Sequence, residues 1–264
     1  MNWADVSGRL TVKILASAAF AMVFSTEISH SWANDDAEED RQIVQELIVG
    51  ETPYPQEKGE IQITLEGNHF HAKESTSSGS AEVEYGITSS LQISIKAPYS
   101  FVHLSDDEDD ESTVSSTRGI GDVEVGVAYA FLNERDRVFA AALDIGIPTG
   151  NEEKELGEGE VAVEASLRGG WRLRDAWLFT TLGFEIEDNE KSFQVGSAVA
   201  YPLSENIIGL VDFIGSVGDE KEAYIAPGLV VRGPLDTEFL LGVPLGINGD
   251  AADWGLVGKF LMEF

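Results

Sequence analysis

The stretch WGLVGKFLMEF, Trp254 to Phe264, closes the 264-residue chain. Counting back from the end, every second residue is Phe264, Met262, Phe260, Gly258, Leu256 and Trp254, while Lys259 and Glu263 fall in the other set. A period of two marks a strand with two unlike faces. Chain ends are ordinarily polar and frayed. A terminus that finishes on large apolar side chains therefore needs something to cover that face, and the nature of the cover decides the fold.

Composition narrows the choice. The formal charge of −30 argues against a nucleic-acid partner, since phosphate binding needs basic patches. There is no cysteine, hence no disulfide framework and no thiolate metal site. With 43% apolar residues and 27 glycines, the chain is not an acidic disordered tail. No motif calls for a cofactor. Near the start, Arg9 and Lys13 precede the apolar run ILASAAFAMVF (Ile14 to Phe24), and Ser31-Trp32-Ala33 offers a small-residue cleavage site. This reads as a secretory signal peptide over residues 1–33. The run is about half the ~20 residues of a spanning helix, and no other stretch is longer.

Residues 34–58 form a separate segment, expected to be periplasmic or to plug a barrel. It opens acidic (NDDAEED), and Ile43, Val44, Leu47 and Ile48 are spaced for a short amphipathic helix ended by Gly50. The two prolines of ETPYPQEKG (Glu51 to Gly59) then predict a loop. Over 59–264 the period is two almost throughout. Leu91, Ile93, Ile95, Ala97, Tyr99 and Phe101 alternate with polar residues and Pro98, and Val123, Val125, Val127, Tyr129 and Phe131 with Asp122, Glu124 and small residues. The pattern repeats to give twelve strands.

An even number of strands without intervening helices predicts an all-β, antiparallel up-and-down barrel. The connections KESTSSGS (Lys73 to Ser80), SDDEDDESTVSSTR (Ser105 to Arg118) and PTGNEEKELGEG (Pro148 to Gly159) are long. TSS (Thr88 to Ser90), LNERDR (Leu132 to Arg137), RLRDA (Arg172 to Ala176) and PLSEN (Pro202 to Asn206) are short. That alternation belongs to transmembrane barrels of the Gram-negative outer membrane. A closed barrel pairs every strand and so can stand in lipid, which would cover the stripe ending at Phe264. The rival is a soluble barrel or sandwich with the apolar stripe inward, and periodicity alone does not separate the two. The signal peptide, loop asymmetry, absence of cysteine and terminal Phe264 favour the membrane. The closing strand also resembles the signal by which bacterial outer-membrane proteins engage the barrel-assembly machinery, although Gly258 sits one place from its usual position there. The expected partners are that machinery, outer-membrane lipid and lipopolysaccharide, and a small-molecule solute.

If lipid takes the apolar face, the other face lines a lumen. The mid-strand candidates are Glu66, Glu84, Asp122, Glu124, Asp144, Glu164 and Asp212, with Lys96 and Arg168 as counter-charges. A narrow, wet, carboxylate-rich lumen would concentrate cations; paired charges would instead close it. The run DDEDDE (Asp106 to Glu111) reads as a solvated loop, with divalent-cation binding as the alternative, and it lacks the spacing of a helix-loop-helix calcium site. His69 and His71 share strand parity and His103 lies one strand away, yet nothing fixes a metal geometry. His103-Leu104-Ser105 repeats a tripeptide spacing of the outer-membrane phospholipase, but no orienting third group is found. The expectation is a non-enzyme.

Thr117 to Glu153, TRGIGDVEVGVAYAFLNERDRVFAAALDIGIPTGNEE, resembles the outer-membrane transporter family named for the meta-pathway of phenol degradation, through Gly119-Ile120-Gly121-Asp122, the strand pair that follows, and Pro148-Thr149-Gly150. ETPYPQEKGEIQITLE is similar as well. The resemblance implies a twelve-stranded outer-membrane barrel passing small, aromatic or hydrophobic solutes, with structural roles for its glycines and Pro148.

Overall fold

The computed structural model describes residues 43–72, 75–104, 115–154, 156–157, 159–187, 190–218, 221–249 and 251–264. The expected signal peptide over 1–33, residues 34–42, the acidic run Asp106 to Glu111 and Ser105 lie outside the described residues, as does the side chain of His103.

Twelve antiparallel strands form one closed sheet: β1 (Ile61–His71), β2 (Thr76–Thr88), β3 (Leu91–Leu104), β4 in two segments (Ser115–Ile120 and Val123–Glu134), β5 (Arg137–Ile147), β6 (Ala162–Leu173), β7 (Ala176–Glu187), β8 (Glu190–Ser204), β9 (Ile207–Val217), β10 (Ala223–Arg232), β11 in two segments (Thr237–Gly242 and Leu245–Gly246) and β12 (Trp254–Glu263). The two segments of β4 both pair with β3, and those of β11 both pair with β10 and β12. Each strand otherwise pairs with its neighbours in sequence. The barrel closes between β1 and β12, in register from Gln62 opposite Glu263 to His71 opposite Trp254. The backbone of Phe264 extends the seam, exchanging hydrogen bonds with Ile61.

The side-chain distribution is that of a protein in lipid. Ile95 is 50% exposed and Leu256 45%, whereas Gln62 is fully buried and Arg168 and Asp212 are 9% and 2% exposed. A soluble barrel would reverse this order, so the rival architecture does not apply. Outward-facing aromatics gather at both rims. Tyr99 lies against Phe101 and Trp254 against His69 and His71 at the rim of the longer loops. Phe131, Phe139 and Trp171 pack in a row near the short turns. Such girdles mark the two interfaces of a membrane.

Two local expectations change. The connection after β1 is shorter than Lys73 to Ser80, because Thr76 to Ser80 already pair with both β1 and β3. The ladder continues there through Ser and Gly because backbone pairing does not need apolar side chains. The described part of the expected N-terminal helix, 43–50, is irregular chain rather than helix. Its amide groups find acceptors on the barrel wall instead of four residues back along the chain.

Candidate functional site in the barrel lumen

The inner wall has two zones. Near the short turns much of the inner wall from β4 to β10 is apolar: Ala130, Val138, Ala140, Trp177, Phe179, Ala198, Ala200, Ile208, Leu210 and Val230 are all buried. They form one core with Val44, Leu47, Ile48 and Tyr54 of the segment preceding β1. Tyr54 meets Trp177 and Phe179 edge-on, at 5.8 and 6.1 Å between centroids. Burial pushes the Tyr54 hydroxyl far above its ordinary value, so it stays protonated.

Further along the strands the wall is charged. The cross-strand register sets Lys96 between Glu82 and Glu124 and lines up Asp144, Glu164 and Glu185 on three successive strands. Arg168 is 3.5 Å from Asp144 and also pairs with Glu51 of the N-terminal segment. The Arg168 guanidinium holds the Glu51 carboxyl below its usual range. Lys259 lies 3.0 Å from Glu46 and 3.7 Å from Glu66. The Asp212 carboxylate accepts the N–H groups of Ile48 at 2.6 Å and Val49 at 3.0 Å. Glu238 accepts from the amide of Gln45, and Arg232 donates to the carbonyl of Ile43 at 2.6 Å. On β1 to β3, Gln56 is held by Gln92 and Gln62, both of which donate to Glu84.

Among the described residues, two cavities lie on either side of Val49-Gly50-Glu51. One of about 260 Å³ is bounded by β1 to β3 with Glu66, Glu82, Glu84 and Lys259; the other, of about 200 Å³, by β6 to β9 with Glu164, Thr181, Gln194 and Asp212. Lys96, Asp144 and Arg168 border both. Each lining carries more carboxylates than cations.

Of the residues singled out in the sequence, Glu66, Glu84, Lys96, Glu124, Asp144, Glu164, Arg168 and Asp212 all line one or both cavities. Asp122 is placed elsewhere. Its Oδ1 accepts the amide of Gly150 at 2.7 Å, at the loop-side rim where β4 is interrupted. Continuous strand parity fails at that break. Here Thr149 binds the amide of Val123 and the carbonyl of Gly121, and Leu156 is buried over Gly119. The glycines of the Gly119–Asp122 motif thus make room for the loop that folds back on them. His69 and His71 bond Ser77 and Ser75 beside Trp254. Lys259 stands on the polar face of the closing strand, as its parity predicts, whereas Glu46, Glu51 and Gln56 are not among the residues the sequence points to. Their only sequence signal is an acidic, proline-bearing segment ahead of β1.

Neither a family model nor a curated protein matches the chain. Among solved structures it is similar to the KdgM porin, at 8% identity over 76% of this chain and 99% of that one, with a TM-score of 0.55. It is similar to the NanC porin at 9% identity over 75% and 97% of the two chains, TM-score 0.53. The translocator domain of the autotransporter NalP from Neisseria meningitidis is matched at 9% identity over 79% and 89%, TM-score 0.50. At these identities the shared property is the fold of a transmembrane β-barrel.

Proposed function

We propose that the protein is an outer-membrane channel for small solutes, with passage through the carboxylate-lined lumen. The observation that carries this reading is the inversion of the barrel. A continuous apolar belt faces outward, and a layer of charged groups surrounds two cavities inside. A barrel needed only as an anchor gains nothing from buried carboxylates in excess of their counter-charges, since each costs desolvation free energy. The porins of the same fold support the reading. The resemblance of Thr117 to Glu153 to the phenol meta-pathway transporters extends it to aromatic or hydrophobic solutes. Outer-membrane lipid and lipopolysaccharide along the belt, and the barrel-assembly machinery at the strand ending in Phe264, complete the proposal.

The test is conductance of the refolded protein in planar bilayers under a salt gradient. The lumen reading expects a cation-preferring reversal potential that shrinks when Glu124→Gln and Asp144→Asn are combined. Unchanged selectivity in that double variant would remove these carboxylates from the path. The second reading is a non-conducting structural barrel, favoured by the packing of Val44, Leu47, Ile48 and Tyr54 across the turn-side end.

A further inference from the structure

The segment 43–57 is a re-entrant loop. Its first residues are held at the turn-side rim, where Arg232, the last residue of β10, binds the carbonyl of Ile43 and Glu238 the amide of Gln45. It rises to mid-strand height, where Asp212 takes the amides of Ile48 and Val49 and Arg168 pairs with Glu51. It then returns to the same rim, where the amide of Gly59 bonds the carbonyl of Gly86 and the chain enters β1. Both described ends of the loop therefore lie at one mouth of the barrel. Such a loop can withdraw without threading and without breaking a single pairing of the sheet.

The wall is shaped for this loop. Gly228 and Gly242 are opposite each other on β10 and β11, and Ile48 occupies the space where their side chains would stand. A Cβ at Gly86 would overlap the carbonyls of Gln56 and Glu57. One at Gly170 would press on Pro53. Away from these sockets the attachments are mixed: Val44, Leu47 and Tyr54 pack on the apolar inner wall, while Gln45, Glu46, Glu51 and Gln56 are held by hydrogen bonds and ion pairs. The polar attachments at mid-height border the two cavities, where water can replace them, so withdrawal must expose only the apolar contacts of Val44, Leu47, Ile48 and Tyr54.

We infer that residues 43–57 are a removable cork, seated in glycine sockets at rest and withdrawn through the turn-side mouth to open the lumen. The inference rests on the channel reading for what opening achieves, but the withdrawal itself has its own readout. Asp212 is the central latch, because one carboxylate oxygen holds two successive amides at the top of the loop.

The chain has no cysteine, so introduced thiols report cleanly. Ile48→Cys, in the refolded full chain in vesicles, is probed with a charged, membrane-impermeant maleimide. The expected result is slow labelling, from the turn side only, that accelerates about tenfold or more when Asp212→Ala removes a charged acceptor. Arg168→Gln is the second variant, should Asp212→Ala fail the heat-dependent gel shift of a folded barrel. Labelling unchanged by a folded latch variant, or reached equally from the loop side, would overturn the cork. The paired variant Ile48→Cys/Gly242→Cys then tests the consequence in bilayers. Oxidation should silence conductance and reduction should restore it, and equal, nonzero conductance in both states would also overturn the cork. A chain with 43–57 replaced by Gly-Ser repeats separates the two proposals. If it folds yet conducts nothing while labelling still follows the latch, the channel reading falls and the cork stands.

Discussion

At the scale of single residues, the lumen is governed by what stands opposite a small side chain. Ile48 fits because β10 and β11 present glycines to it. Gly242→Leu would place a side chain in that socket, and overpacking of this kind costs about 1–3 kcal/mol. The strain is expected to fall on the loop, which can leave, rather than on the sheet, which cannot. Limited proteolysis should then cut within 43–57 while the heat-dependent gel shift of the barrel is retained. Glu51 gives a second test. Its carboxyl is held below its ordinary 4.5 by Arg168. A depressed folded value contributes stability that is fully present above the unfolded value and lost as pH falls through the folded one. The amides of Ile48 and Val49 should exchange faster in Glu51→Gln than in the native chain at neutral pH. That difference should vanish in acid well below pH 4.5, and a difference that persisted there would assign it to something other than the ion pair. Neither Gly242 nor Glu51 stands out in the sequence. A glycine in a strand reads as a weak position, and the residue that fills its space is nearly two hundred positions away.

Among the elements, the strands were legible and the segment before them was not. Period two survives in sequence because lipid and lumen impose opposite demands on alternate residues of each strand. The cork has no such rule, and its apolar spacing resembled a helix because three short apolar contacts at 44, 47 and 48 suit a helix and an irregular loop alike. The inner wall was only half legible. Its charged layer matched the polar face of the pattern, but Leu210, Val230 and Val257 also point inward, where the pattern expects polar residues. The loop following β5 shows a motif whose location was readable and whose role was not. The resemblance gives Gly119 and Gly121 structural roles, and here they admit Leu156 and its backbone. Asp122, expected in the lumen, latches this loop through Gly150. A hydrogen bond to a charged acceptor contributes about 1.5–3 kcal/mol, with the lower end fitting a partly exposed rim. Asp122→Ala should therefore free the loop by about 1.5 kcal/mol. Trypsin should cut faster at Lys154, with ion selectivity unchanged. A change in selectivity would instead return Asp122 to the conducting path.

For the molecule as a whole, the arrangement works only if the solvent outside the barrel is hydrocarbon. Backbone groups are satisfied strand to strand around the closed sheet, and the seam from Gln62 to His71 against β12 leaves no edge. The remaining term is the side-chain face, which adjacent residues of one strand can separate. Leu182 and Thr181 lie in the middle of β7. Leu182 is 41% exposed on the outer belt, while Thr181 borders the inner cavity with Glu164 and Asp212. An arginine on the lipid face near the midplane costs about 2–4 kcal/mol in a barrel of this kind. The same arginine inside meets carboxylates and water, which recover much of its hydration. Leu182→Arg should therefore lower the stability of the folded state in lipid vesicles by about that amount, read from urea-dependent folding, and Thr181→Arg by much less. In a soluble barrel an exposed Leu182→Arg would be nearly neutral, and an inward arginine would be the damaging one. Equal or reversed costs would thus contradict the lipid assignment of the whole belt, including the stripe from Trp254 to Phe264. The order expected here would confirm that the last strand ends on an apolar row because the bilayer is its other half.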